Sequence, residues 1–384
     1  MATSNHLSRA ALNGTARLNQ LSGHLQPTQR ALTTGTKTAN KPNHLVRLVV
    51  SEQDPTIAVV SFSRPPANSF NLPFLQALHK TLAAVLAPTP AGTSASAGSD
   101  ADPEVTLKTA AASLTTPEAV AQGIQSNVSD FGRIRSLVLT SDTPNFFSAG
   151  IDITVFLSRD PSRPLAGVDQ AGWVEFWGLV RQVYILIYTS ARIRTVAAIN
   201  GHAPGLGAIL ALACHDRIMA NPLVPTPAQR KTPARIGLNE VQIGLTLPCW
   251  LADRFAEVAG QRAAERDLPL GTMYSPPEAL AVGLVDQVVD IPPEVPHGAA
   301  ASPLVHSAVE FIQKRIYARL PPLGTPAGDG AWGAQMGTYL FARRSFVVRF
   351  EADEHMDLFG SYKFVVSKPV QSALLATLKR LQKK

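Results

Sequence analysis

Hydrophobic positions along the chain follow two periods. Short β-branched runs over 45–50 and 56–62, split by Asp54-Pro55, predict a hairpin, and Pro65-Pro66 ends the second run. Leucines at 75, 78, 82 and 86 then recur at helical spacing and predict a helix over Leu72–Leu86. Residues 134–140 (IRSLVLT) read as a buried strand, 173–193 as a long helix, Arg194–Ile199 (RTVAAI) as the next buried strand, and 217–220 as another short one. Residues 222–232 (PLVPTPAQRKT) predict a polar, Pro-broken loop. From Pro303 the pattern is helical to the end, with helices predicted over 304–319, 334–352, 354–366 and 369–382. Strands alternating with helices imply an α/β core with parallel pairing, followed by a helical C-terminal region.

Two stretches carry no such period. Residues 87–130 include APTPAGTSASAGSDADPE, an Ala/Ser/Pro/Gly-rich run that cannot bury much surface and predicts a low-complexity surface insertion. Residues 1–42 contain no acid but hold Arg9, Arg17, Arg30, Lys37 and Lys41. Composition matters here. The formal net charge of +7 would suit a nucleic-acid binder, but this leader supplies most of the surplus. Rich in Arg, Ser, Thr and Ala, it has the features of an organelle transit peptide; a basic disordered tail is the alternative. The expected division is leader 1–42, core 43–300 and helical region 301–384. Cys214 and Cys249 lie in no metal or disulfide spacing and both read as small buried hydrophobes. No run of 18 apolar residues occurs, the stretch 195–214 being broken by Asn200, His202 and Pro204, so no membrane span is expected.

Three segments hold candidate chemistry. In SDTPNFFSAGIDITVF (141–156) a strand ends in a polar loop, and Ser148-Ala149-Gly150 lead into Ile151-Asp152. Small residues admit a ligand close to the backbone, and N–H groups exposed at such a turn can hold an anionic oxygen; an ordinary strand-to-helix turn is the other reading. In TVAAINGHAPGLGAILALACHDRIMA (195–220) a buried strand runs through a Gly-rich turn into an apolar helix, offering free N–H groups and the positive end of a helix dipole. It is neither a dinucleotide fingerprint nor a P-loop, lacking both spacings. In IGLNEVQIGLTLPCW (236–250) Glu240 stands in an apolar stretch, where burial would raise its pKa toward a base role; an exposed helix-start glutamate is the bland alternative.

In this order and spacing the FSAG-x-D turn, the AAING turn and the GLNEV segment resemble the crotonase (enoyl-CoA hydratase/isomerase) superfamily, from about residue 45 to 289. PPANSFNLPFL (65–75), LTSDTPNFFSAGIDI (139–153), GLNEVQIGL (237–245), AERDLPLG (264–271), PPEALAVGLVDQVV (276–289) and FVVSKPVQSALLATLKRL (364–381) look most like its mitochondrial Δ3,Δ2-enoyl-CoA isomerase branch. The resemblance implies a ββα-spiral core and a helical C-terminal trimerisation region. It implies an oxyanion hole made by the N–H groups of Ile151 and Leu206, although the family usually has Gly at the latter position. Ser148, Ala149, Gly150, Asp152, Ile153, Gly205 and Gly207 would line the substrate site, with Asp152 expected to brace its turn. Hydratases of the family use two glutamates; Ile209 stands at one place and Glu240 at the other. Adding water needs the pair, whereas moving a double bond needs one base, so Glu240 alone implies isomerisation of 3-enoyl-CoA to trans-2-enoyl-CoA in fatty-acid β-oxidation. Asn68, His202 and His215 are expected to be structural, and Lys368 to be solvated. The implied partners are an acyl-CoA substrate and two further copies of the chain in a mitochondrial matrix homotrimer, with no cofactor, metal or nucleic acid. A non-catalytic crotonase-like subunit of a larger mitochondrial assembly is one competing reading, and another enzyme of the same family, such as a hydratase or thioesterase, is a second, the hydratase version being weakened by Ile209.

Overall fold

The computed structural model describes residues 45–86, 134–160, 162–223, 227–292 and 302–382. The expected leader over 1–42 and the expected insertion over 87–130 lie outside them. The described residues fall in one compact unit, His44–Lys384.

Among the described residues eight strands form in chain order: β1 (Val46–Val50), β2 (Ile57–Phe62), β3 (Ser136–Ser141), β4 (Arg194–Ile199), β5 (Ala203–Pro204), β6 (Asp216–Pro222), β7 (Ile236–Gly237) and β8 (Gln287–Ile291). Six make one sheet in the order β1-β2-β3-β4-β6-β8, and β5 pairs with β7 in a second. β1 and β2 form the predicted antiparallel hairpin; every later pairing in the large sheet is parallel, as the strand–helix alternation requires.

The period of two along the strands explains why the sheet is covered on both faces. Ala58, Val60, Phe62, Leu137, Leu139, Ala197 and Ile199 point into one core, under helices α1 (Leu72–Leu86), α2 (Gln170–Tyr188) and α3 (Leu206–Ala213). Ile57, Val59, Val138, Val196, Ala198 and Ile218 point into the other. A strand buried on both faces reads as a continuous apolar run, which is why Arg194–Ile199 looked buried throughout. The remaining helices are α4 (Pro227–Lys231), α5 (Cys249–Ala259), α6 (Gln261–Asp267), α7 (Pro276–Ala281), α8 (Pro303–Phe311), α9 (Pro326–Ala352), α10 (Ser361–Val365) and α11 (Lys368–Gln382). α8 and the start of α9, through Trp332 and Met336, close the second core.

Element ends moved where side chains cap the backbone. α2 begins three residues before the predicted start because Asp169 accepts a hydrogen bond from the Gly172 N–H. It ends at Tyr188 rather than at 193: Thr189 and Ser190 turn the chain by donating their hydroxyls to the carbonyls of Ile185 and Ile193. α9 starts at Pro326, not 334, through a Thr325 cap on the Gly328 N–H. α4 adds one helical turn inside the loop predicted over 222–232. Cys214 is buried, as expected, but Cys249 is exposed at the start of α5 and its thiol donates to Asp353 at 2.9 Å. An N-terminal helical position with a carboxylate partner explains that departure from the buried reading.

Phe62 is 1% exposed and packs its ring against Phe70, Phe74 and Phe147. Phe62→Ala is expected to cost about 3–5 kcal/mol, whereas Leu48→Ala on the open face of β1 costs under about 0.5 kcal/mol. Urea denaturation of the two variants checks the contrast.

Candidate active site

The parallel strands β3 and β4 end side by side, and the loops leaving them carry two of the three segments singled out above. The loop after β3 is held by one residue. Asn68 is fully buried at φ 53°. Its amide donates to Ser141 Oγ (2.6 Å) and the Phe147 carbonyl (3.1 Å), and its Oδ1 accepts from the Arg64 N–H (2.6 Å) and Thr143 Oγ1 (2.7 Å). Four bonds on one buried amide tie the β2 exit to the β3 exit. Ser148 extends the tie: its hydroxyl donates to the Asn68 carbonyl (2.7 Å) and accepts from the Gly150 N–H (3.0 Å). With its side chain fully buried and committed in this way, Ser148 braces the turn and offers a ligand no free hydroxyl. The Ala149 N–H donates to the Ala67 carbonyl at 2.8 Å.

Ile151 lies between two cross-links, Phe70 N–H to Gly150 carbonyl (2.8 Å) and Asp152 N–H to Phe70 carbonyl (2.9 Å). Its own N–H donates to no acceptor among the described residues. Asp152 caps the short 3₁₀ turn Ile153–Phe156, accepting from the Thr154 N–H (3.2 Å) and hydroxyl (2.6 Å), and its other oxygen pairs with Arg64 at 3.1 Å. Arg64 also donates to the Ser69 carbonyl. Nothing in the sequence marked Arg64, which neighbours Asp152 only in space.

The loop after β4 passes through β5 into α3. Gly205 adopts φ 53°, ψ −120°, a conformation closed to residues with a side chain, and Leu206 follows as the first helical residue with a negative φ. The left-handed position is therefore Gly205, so Leu206 is conformationally acceptable where the family usually has Gly. The Leu206 N–H also donates to no acceptor among the described residues, as the first turn of a helix requires. The two turns touch. A methyl group on Gly150 would stand 3.0 Å from the Pro204 carbonyl and 3.6 Å from the Leu206 nitrogen, and one on Gly207 would stand 2.9 Å from the Ser148 carbonyl. The N–H groups of Ile151 and Leu206 thus lie on adjoining backbones.

The third segment completes the arrangement. Glu240 opens a 3₁₀ turn, Glu240–Ile243, after β7 pairs with β5. Its Oε1 lies against Gly205, 3.3 Å from where a β-carbon would be. Its Oε2 is buried without a hydrogen-bond partner. Burial pushes the carboxyl up to about 7, with the bond to its own backbone as a smaller opposing influence. Ile209, one turn into α3, is 2% exposed and lines a small apolar cavity with Leu206, Leu75, Val180, Val183, Tyr184 and Leu210. The arrangement therefore holds one carboxyl poised near neutrality, two undonated N–H groups and an apolar wall.

The two histidines have structural partners. His215 is buried, accepts from the Thr195 N–H (3.1 Å), and is held neutral by burial and by the surrounding arginines, Arg343 foremost. The His202 backbone N–H donates to the Asn145 carbonyl at 2.8 Å, while burial lowers the ring's pKa. No metal-ligand cluster, and no helix long and apolar enough to cross a membrane, occurs among the described residues.

Comparison with known proteins follows the same lines. The family model for enoyl-CoA hydratase/isomerase matches residues 120–305. The mitochondrial enoyl-CoA delta isomerase 1 of Rattus norvegicus is 40% identical over 169 residues, 44% of this chain and 51% of that protein. Its Homo sapiens counterpart is 42% identical over 156 residues, 40% of this chain and 45% of that protein. The chain thus spans about half the length of these relatives. The crystal structure of human mitochondrial delta3-delta2-enoyl-CoA isomerase superposes with a TM-score of 0.60 at 28% identity, covering 88% of this chain and 98% of that one. The match over 120–305 includes both turns, α3 and Glu240, and the superposition on the human enzyme gives this chain the crotonase fold.

Proposed function

We propose that the chain is an enoyl-CoA isomerase that converts a 3-enoyl-CoA to the trans-2-enoyl-CoA with Glu240 as sole base. The observation that carries this reading is the isolated Glu240 carboxyl, poised near neutrality beside two undonated N–H groups, with Ile209 where a second acid would stand. Deprotonated Glu240 takes the proton from C2. The electron pair delocalises through the C3=C4 bond and onto the thioester oxygen, giving a dienolate. The N–H groups of Ile151 and Leu206 stabilise that oxygen, each donor of this kind contributing about 10²–10³ in rate. Glu240 then returns the proton at C4, leaving the double bond at C2=C3. Small residues at Ala149, Gly150 and Gly205 let the thioester reach the backbone, Gly207 lets the two turns close on each other, and Asp152 and Ile153 bound the entry. The reaction draws on no group beyond the substrate and these residues.

The named relatives are mitochondrial, and the acid-free leader is of the transit-peptide kind; both support a mitochondrial location, in the matrix on the notion that the substrate is a β-oxidation intermediate. Phe341 and Val348, seven residues apart on α9, are over half exposed, which suits self-association of the helical C-terminal region into the trimer that the resemblance implies. The division into leader 1–42, core 43–300 with an insertion at 87–130, and helical region 301–384 belongs to the same proposal.

Purified protein given 3-enoyl-CoA is expected to turn over with an activity that rises with pH through about 7, since the base works ionised. Glu240→Gln should lose at least about 10³ in kcat; equal rates in the two proteins would sink the assignment. Hydration of crotonyl-CoA should be far slower than isomerisation. Gly205→Ala, which forces a side chain into a left-handed position against Glu240, should lower kcat by about 10². A raised carboxyl pKa costs stability as pH rises from the ordinary 4.5 to about 7. Glu240→Gln should therefore melt with wild type below pH 4 and above it, by on the order of 1–3 kcal/mol of stability, beyond pH 7. Thermal melts across pH check this.

A further inference from the structure

α3 has the proposed oxyanion hole at its amino end, and its carboxyl end is surrounded by arginines. Arg254 Nε donates to the Leu212 carbonyl (3.0 Å), and Arg217 Nη1 (3.2 Å) and Arg343 Nη2 (3.4 Å) donate to the Cys214 carbonyl. Arg217 is neutralised by Asp286 at 3.0 Å, Arg254 by Glu257 at 3.3 Å, and nearby Arg194 by Asp216 at 2.6 Å. Arg343 differs. It is 8% exposed, its Nη1 donates to the Tyr188 carbonyl at 2.6 Å, its guanidinium lies 4.3 Å from the centre of the Tyr188 ring, and it meets no carboxylate among the described residues. The neighbouring His215 adds no compensating charge, being neutral. Capping two helix ends needs donors, which a neutral side chain also supplies; burying a full charge there is costly unless the charge is used.

We propose that Arg343 is a positioning residue for the oxyanion hole: its unneutralised charge at the carbonyl end of α3 strengthens the helix field at the Leu206 N–H and stabilises the enolate oxygen formed there. This rests on the isomerase reading of the same site. Burial lowers the guanidinium only to about 10, so the charge persists at neutral pH. Eight helical residues span about 12 Å. A unit charge at about 12–15 Å, acting through an effective dielectric near 20, is worth a five- to tenfold change in the stability of the enolate. The effect falls on the charge that develops during reaction, hence on kcat and not on KM.

The test uses acetoacetyl-CoA, whose enolate absorbs in the near ultraviolet, as a probe of the hole. Arg343→Gln keeps a donor and removes the charge. It should raise the pH midpoint of enolate formation on the protein by about one unit and lower kcat for 3-enoyl-CoA five- to tenfold, with KM within twofold. Arg343→Lys should restore both. Tyr339→Glu, one turn earlier on α9, sets a carboxylate near Arg343 without removing its hydrogen bonds and should mimic Arg343→Gln, which covers the case in which that variant fails to fold. Unchanged midpoint and kcat in folded Arg343→Gln or Tyr339→Glu would overturn the proposal. So would equal losses in the Gln and Lys variants that track their melting temperatures. A wild type that stabilises the enolate, with the midpoint shifting as above, but does not isomerise would overturn the isomerase reading and leave the role of Arg343 standing. A wild type that stabilises no enolate would overturn both.

Discussion

The arrangement depends on the close approach of two backbone turns. Gly150 and Gly207 lie so near the opposite chain, at Pro204 and Ser148, that any side chain there would force the turns apart. That contact puts two undonated N–H groups on adjoining strands of backbone, and nothing in the local sequence of either turn produces it. It arises because β3 and β4 are parallel neighbours, so their exits emerge together at the same edge of the sheet. Asn68 then fixes the height of the first turn, and the β5–β7 pairing fixes the second against Glu240. Parallel sheets with both faces covered present their strand ends as the natural place for a site, since loops there are held by rigid elements.

The carboxyl inherits its chemistry from this geometry. An acid on a short 3₁₀ turn would ordinarily be solvated. Here β7 is held against β5 through the Gly205–Gly237 bond, so Glu240 cannot swing away from α3, and desolvation does the rest. Nothing else nearby shifts it as strongly, since Oε2 has no donor and the bond to its own backbone is the smaller influence. A buried carboxyl with one oxygen left without a donor is costly to fold, and the cost is a reason to seek its use in reaction.

Much of this was legible along the chain, for identifiable reasons. The buried strands showed as apolar runs, α1 showed through its four leucines, and the three candidate segments, which the fold brings together, stood out through small residues and a lone acid. What was not legible depended on partners distant in sequence. Helix ends shifted where Asp169, Thr189, Ser190 and Thr325 made capping bonds that apolar periodicity does not register. Cys249 was read as buried because composition cannot tell a core position from the first turn of an amphipathic helix. Arg64 and Arg343 have no motif; their roles come from Asp152 and Cys214, each far away along the chain. Leu206 was read as a departure in shape, and only the φ angles assign the strained position to Gly205.

That assignment bears on what position 206 can hold. If the left-handed residue had been at 206, a leucine there would have carried backbone strain directly into the proposed oxyanion donor. With the strain at Gly205, position 206 offers an undonated N–H, and its side chain is free to serve another purpose. In this chain it turns into the apolar cavity beside Ile209 and Tyr184. The same residue thus offers an undonated N–H from its backbone and shapes an apolar wall with its side chain, and Ile209 one turn later extends that wall. On the proposed reading the backbone of α3 would set the electrostatics and its side chains the solvent access, so that bulk at 206 and 209 would keep water from the dienolate without disturbing the donors.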